Sequence, residues 1–129
     1  MSDCTAEELR WLGQADELQL ASRRADGTLR PFVTIWTVRA GDGIYVRSAY
    51  GPNNGWFVRA NASRRGRIRA GRIETDVTFE RPADRETAAE VSRAYHAKYD
   101  RYGAGIVGSV TSPKAEELTL RIIPDGGQA

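Results

Sequence analysis

Apolar and polar positions alternate along much of the chain, and the alternation breaks at regular intervals into turn-forming residues. Thr5-Ala6-Glu7-Glu8 reads as a capping box, with Thr5 as N-cap, and predicts a short helix through Leu9 and Trp11 to Leu12. Leu18 and Leu20 alternate with Gln19 and open a first strand, and Asp26-Gly27 is a hairpin turn signal. Phe32 to Arg39 is the clearest strand, β-branched and aromatic throughout. Val33 and Ile35 fall on one face and Phe32, Trp36 and Val38 on the other, so neither face is wet. Such a strand needs a barrel core on one side and a helix, ligand or partner on the other.

Ile44 to Ala49 returns as the next strand after the turn at Ala40-Gly41-Asp42-Gly43. Gly51-Pro52-Asn53-Asn54-Gly55 interrupts, and Trp56 to Asn61 predicts a short helix capped by Asn53 or Asn54. A hairpin follows, Arg64 to Ile68 and Arg72 to Phe79, turned near Ala70-Gly71. Asp84 caps a longer helix with the stripe Ala88, Val91, Tyr95, Tyr99 and Tyr102, stopped at Gly103 and Gly105. Ser112-Pro113 opens a brief helical turn, and Leu118 to Ile123 is the last strand. Successive hairpins predict one α+β domain over residues 1–129, mainly β with inserted helices, built as a six-stranded antiparallel barrel.

The hairpin carries most of the candidate chemistry. Arg65, Arg67 and Arg69 share one strand face. A two-residue turn at Ala70-Gly71 would set Arg67 opposite Glu74 and Arg65 opposite Asp76, with Ile68 facing Ile73. That makes the basic run a ladder of cross-strand ion pairs and argues against nucleic acid. Arg64 is expected on the inner face with Ile68, opposite Val77, where a cation needs an anion. Arg47, Ser48 and Arg59, with the helix start near Trp56, would complete a phosphate site, and Trp36 and Tyr50 offer flat surfaces for a ring.

Composition narrows the rest. The chain has 129 residues, 19 Lys+Arg against 17 Asp+Glu, a net charge of +2 and one cysteine, Cys4. No internal disulfide can form, and the first twenty residues have neither the apolar run of a signal peptide nor that of a bilayer span. A cytoplasmic protein without membrane contact is expected. One histidine, His96, and one cysteine do not build a zinc centre, and no Ser/His/Asp triad can be assembled.

The segment Leu18 to Phe79 resembles the flavin-binding split-barrel superfamily, which includes pyridoxamine-phosphate oxidases and deazaflavin-dependent nitroreductases. The matching stretches are Gly27-Thr28-Leu29-Arg30-Pro31-Phe32-Val33, Tyr45-Val46-Arg47-Ser48-Ala49-Tyr50, Trp56, Arg59-Ala60-Asn61 and Gly71-Arg72. Tyr95-His96-Ala97-Lys98-Tyr99, Ile106 to Val110 and Thr119 to Pro124 resemble the C-terminal half of a bacterial family, domain of unknown function 2255. The resemblance implies a homodimer holding two cofactors between subunits, FMN or a deazaflavin of the factor-420 type. It implies that Trp36, Arg47, Ser48, Ala49 and Arg59 line the site, and that the activity is oxidoreduction of a small molecule. A cofactor-binding protein without redox activity is the alternative. Two customary phosphate ligands are replaced: Ile35, Trp36 and Thr37 stand where the oxidases carry a lysine, and Asn53-Asn54-Gly55 where they carry Ser-Arg-Lys.

Overall fold

In the computed structural model the described residues are 6–41, 43–48, 55–71, 73–82, 85–111 and 113–124. The predicted caps Thr5, Asn53, Asn54 and Asp84 lie outside them, as do Ala49 and Tyr50. The elements run α1 (Ala6–Gln14), β1 (Glu17–Ser22), β2 (Val33–Trp36), β3 (Val38–Ala40), β4 (Gly43–Arg47), α2 (Gly55–Ser63), β5 (Arg65–Ala70) and β6 (Ile73–Glu80). Then come α3 (Arg85–Tyr99), a 3-10 turn (Asp100–Tyr102), α4 (Ala104–Thr111), α5 (Pro113–Glu116) and β7 (Thr119–Pro124).

All pairings are antiparallel, in the order β2-β1-β5-β6-β7-β4-β3. The two edges, β2 and β3, are consecutive in the chain and separated by Thr37 alone. They are halves of one bent strand, so the sheet closes nearly completely on itself. Seven strands stand where six were expected because Thr37 leaves the ladder and splits the Phe32–Arg39 run.

The bend divides the apolar residues as the two-faced pattern requires. Val33 and Ile35 pack on the barrel core with Leu18, Leu20, Ile44, Val46, Ile68, Phe79 and Ile122. Trp36 and Val38 pack on a second cluster with Val91, Tyr95 and Tyr99 of α3 and Val107 and Val110 of α4. The second face of the strand is therefore covered by this chain's own helices. α4 was not foreseen: Ile106 to Val110 is too short and too evenly apolar for periodicity to tell helix from strand.

Tyr99 meets the break directly. The Thr37 backbone N–H donates to the Tyr99 hydroxyl (3.2 Å), whose single proton is shared between the Thr37 carbonyl at 2.9 Å and the Asp16 carbonyl. Lys98 Nζ donates to the Thr37 carbonyl at 2.7 Å and to the Ala15 carbonyl. The indole of Trp36 stacks on the Tyr99 ring at 4.0 Å and 4°.

The β5–β6 hairpin turns between the paired residues Ala70 and Ile73, and Gly71 takes a positive φ of 56°, as the first residue of a primed hairpin turn demands. This corrects the expected register by two residues. Arg67 lies opposite Asp76, Arg65 opposite Thr78 and Ile68 opposite Thr75, and Val77 faces Gly66. Gly66 is obligatory here, since a Cβ would stand 2.1 Å from the Ala21 carbonyl oxygen. Arg67 still bridges Glu74 at 3.0 Å and Asp76 at 2.9 Å, and Arg23 shares Asp76 at 2.7 Å.

Tyr99→Phe keeps the ring stack and removes the hydroxyl from the Thr37 break. It should cost about 1–3 kcal/mol, the range for stranding buried polar groups, measured as a lower urea midpoint at unchanged m.

Candidate anion-binding groove

The residues expected to form one site are placed in three regions. Arg47 ends β4, is 3% exposed, and sends every fork inward. Its Nε donates to Thr119 Oγ1 at 2.7 Å, Nη1 to Ser92 Oγ at 2.7 Å and the Val110 carbonyl at 2.9 Å, and Nη2 to the Ala88 carbonyl at 2.7 Å. Ser92 Oγ in turn donates to Glu116 Oε2 at 3.0 Å. Burial pulls the pKa of Arg47 below its ordinary value, with Tyr95 and Glu116 acting the other way. The guanidinium is thus a staple between β4, α3, α4 and β7. Ser48, also buried, is tied to the Leu118 carbonyl through its N–H at 3.2 Å.

Trp36 belongs to the second region, the aromatic stack on Tyr99, with Tyr102 at 5.6 Å. It pairs with Glu17, at the opposite end of β1 from Ser22, a separation of about 16 Å at the usual strand rise.

Trp56 and Arg59 define the third region, where α2 crosses the end of β1. A groove of about 550 Å³ runs between the β1–β2 connection, the outer face of α2 and the start of β5. Arg23, Arg24, Arg30, Arg59 and Arg65 line it, with Val58 and Ser63. A smaller hollow adjoins it, lined by Leu20, Ser22, Pro31, Val33 and Trp56, and shares Arg30 and Arg59 with the groove. Arg64 stands at the α2–β5 junction and departs from expectation. Its φ of 63° closes the helix end, and it is exposed, not on the inner face. Its Nε donates to the Asn61 carbonyl at 2.6 Å.

The local folding of this groove follows from its turn. Asp26 Oδ1 accepts from the Thr28 N–H at 3.0 Å and from its hydroxyl at 2.7 Å, which holds the loop back on itself. Those bonds, led by the Thr28 hydroxyl, keep the Asp26 carboxyl below its usual range. The Arg24 N–H donates to the Thr28 carbonyl at 2.8 Å and the Arg30 N–H to the Ser22 carbonyl at 2.9 Å, bringing Arg23, Arg24 and Arg30 to one rim. Arg23 is paired with Asp76, whereas Arg30, Arg59 and Arg65 have no carboxylate partner among the described residues. Sequence reasoning missed Arg65, Arg23, Arg24 and Arg30 as site residues here. The Asp26-Gly27 signal, which folds residues 23–30 together, carried the information for Arg23, Arg24 and Arg30.

A second hollow of about 510 Å³ lies at the other end of β1. It carries Glu17, and its one cation, Arg69, lies over the Phe32 ring at 3.9 Å. It does not match the basic groove as an anion receptor. Among the described residues there is no group of three or more His, Cys, Asp or Glu able to hold a metal, and no helix long and apolar enough to cross a membrane.

A nearly closed antiparallel barrel, with α1 and α2 packed on its core and α3 and α4 on the outer face of the bent strand, defines the class as a split-barrel protein. The structure is similar to a pyridoxamine 5'-phosphate oxidase-like protein from Listeria innocua, at 12% identity over 92% of this chain and 91% of that chain, TM-score 0.63. It is similar to HutZ, the heme storage protein of Vibrio cholerae, at 14% identity over 92% and 88%, TM-score 0.63. A FAD-binding protein of Mesorhizobium loti matches at 18% identity over 95% and 91%, TM-score 0.55. At these identities the likeness establishes the fold. No curated protein matches the chain. Residues 8–122 match the family described as "uncharacterized protein conserved in bacteria (DUF2255)", and the chain belongs to that family.

Two outcomes follow from the geometry. Arg47→Met should lower stability by about 1.5–3 kcal/mol or more, the range for hydrogen bonds to a charged group, and leave anion affinity per folded molecule unchanged in a titration. Burial lowers the Lys98 pKa from 10.5 to about 8; Asp16 opposes and Arg101 adds to this. The folded state releases that proton first, so between these two values the unfolded chain binds more protons and stability rises with pH. Lys98→Met should flatten that rise in urea midpoints taken across the interval.

Proposed function

We propose that this protein binds a flavin-type cofactor, FMN or a deazaflavin, and uses it for oxidoreduction of a small molecule. The observation that carries the reading is the basic groove: Arg30 of the β1–β2 connection, Arg59 of α2 and Arg65 of β5 face one hollow, with no acidic partner among the described residues. Planar guanidinium forks match phosphate oxygens bidentately. The residues present therefore fit the phosphate-bearing end of such a cofactor, with Arg30 and Arg59 as its holders. The two phosphate ligands missing from the superfamily pattern would be replaced by these arginines. Flavin binding in a similar fold, as the Mesorhizobium loti protein's description states for that protein, supports the same reading.

A flavin or deazaflavin, when bound, supplies the hydride chemistry. This chain's own residues would hold the anionic end through Arg30 and Arg59, with the exposed Val58 of α2 as the apolar wall beside them.

The second reading is a binding protein without redox activity. One observation favours it: the groove is lined by arginines, small residues, Val58 and Ser63, with no carboxylate, imidazole, thiol or phenol among the described residues to move a proton.

Fluorescence titration decides. FMN or the deazaflavin should bind wild type, and Arg30→Gln and Arg59→Gln should each weaken binding by about 1.5–3 kcal/mol. Arg93→Gln, on the exposed face of α3, should be silent. Failure of both ligands to bind wild type below about millimolar, a free energy of roughly −4 kcal/mol, would remove the cofactor reading. Binding without turnover of any electron acceptor would favour the second.

A further inference from the structure

The charge in the outer groove exceeds what one phosphate needs. Five arginines line it. Arg23 is neutralised by Asp76 at 2.7 Å, and Arg24 interacts with Asp26. Arg30, Arg59 and Arg65 remain without acidic partners among the described residues. A phosphate monoester brings about −1.5 to −2 charges at neutral pH, which two arginines already balance. Arg30 and Arg59 also border the small hollow beside Trp56, and Arg65 does not. The third cation therefore sits further along the groove, on β5, beyond the pair that would hold a first phosphate.

The walls point the same way. Val58 is 46% exposed on α2, and Ala62 follows it one turn later on the same face. Arg59 and Ser63 make the adjacent row at the same spacing. The helix thus offers an apolar stripe beside a cationic one. The groove volume of about 550 Å³ falls in the range of roughly 300–1,000 Å³ typical of sites for a whole organic ligand.

From these observations we infer that the outer groove is a diphosphate site, taking two linked phosphates with Arg65 on the second and an organic group along Val58 and Ala62. The inference rests on the groove being the cofactor site and specifies the class of ligand as nucleoside-diphosphate-like. It predicts that the groove distinguishes a diphosphate-bridged flavin from a monophosphate one.

Isothermal titration with orthophosphate, pyrophosphate, FMN and FAD tests it on wild type, Arg65→Gln and Arg30→Gln. Pyrophosphate should bind about tenfold or more tighter than orthophosphate, and FAD than FMN by a similar factor, the scale of one charged hydrogen bond. Arg65→Gln should abolish both preferences and leave orthophosphate affinity unchanged, with an unaltered urea midpoint. Arg30→Gln should weaken all four ligands. Equal affinity for pyrophosphate and orthophosphate overturns the diphosphate site, as does a preference that survives Arg65→Gln; FMN binding in that case leaves the cofactor reading standing. Pyrophosphate binding that depends on Arg65, with neither flavin bound, supports the diphosphate site and defeats the FMN form of the cofactor reading.

Discussion

The barrel depends on how it treats the backbone of Thr37. A closed sheet of this size has to bend one strand sharply to bring its edges together, and a bend takes N–H and C=O groups out of the ladder. Here those groups belong to a residue with no exposed surface, where unsatisfied polar atoms are costly. The Tyr99 hydroxyl accepts from the N–H and donates to the carbonyl, and Lys98 adds a second donor. The same two side chains reach the Ala15 and Asp16 carbonyls at the α1–β1 junction. One end of α3 therefore holds the strand bend and the start of the barrel in a single place, and stacking of Trp36 on Tyr99 fixes the ring that does it.

Arg47 does the matching work at the other end of α3. A buried guanidinium is tolerated when its donors are met, and four acceptors from α3, α4 and β7 meet them. Glu116 reaches it through Ser92, so the charge is compensated without a direct ion pair. Together these two attachments explain why the helical layer covers the outer face of the bent strand. They also explain why Trp36 and Arg47, chemically suited to a cofactor, are used for assembly.

Much of this was legible in the residues. The two-faced Phe32–Arg39 run announced a barrel wall with a second covering, and the Val91, Tyr95, Tyr99 stripe supplied that covering. The hairpin and its Arg67–Glu74 pair were legible too, but the expected Arg65–Asp76 pair does not form: Gly71, at φ 56°, takes the place Ala70 was given, and the shifted register sets Asp76 opposite Arg67 and Thr78 opposite Arg65. Arg64 was misread because strand alternation was extended past the strand's start into a left-handed helix end. Long-range partners were not legible. Nothing local marks the carbonyls of Ala88 and Val110 as acceptors for Arg47, and a phosphate-like signature on β4 was the natural reading of Arg47-Ser48. The groove was half visible: Arg59 and Trp56 stood out, while the arginines around the Asp26-Gly27 turn converge on them only in three dimensions.

The fate of β5's arginines turns on what faces them in β6. Arg67 and Arg65 occupy equivalent positions two residues apart on one strand face. Arg67 meets Asp76 across the ladder and Glu74 diagonally, so its pKa is raised, first by the Glu74 hydrogen bond. Arg65 meets Thr78, which offers no charge, and turns toward the loop that carries Arg23, Arg24 and Arg30. A ladder that neutralises one arginine and leaves the next without a carboxylate among the described residues converts a solvated strand face into a boundary between paired and unpaired charge. That boundary falls where α2 contributes Arg59 and an apolar stripe. Arginines gathered at that boundary repel one another, and a bound anion would relieve that repulsion, whereas in the hairpin beyond it Glu74 and Asp76 already do so for Arg67.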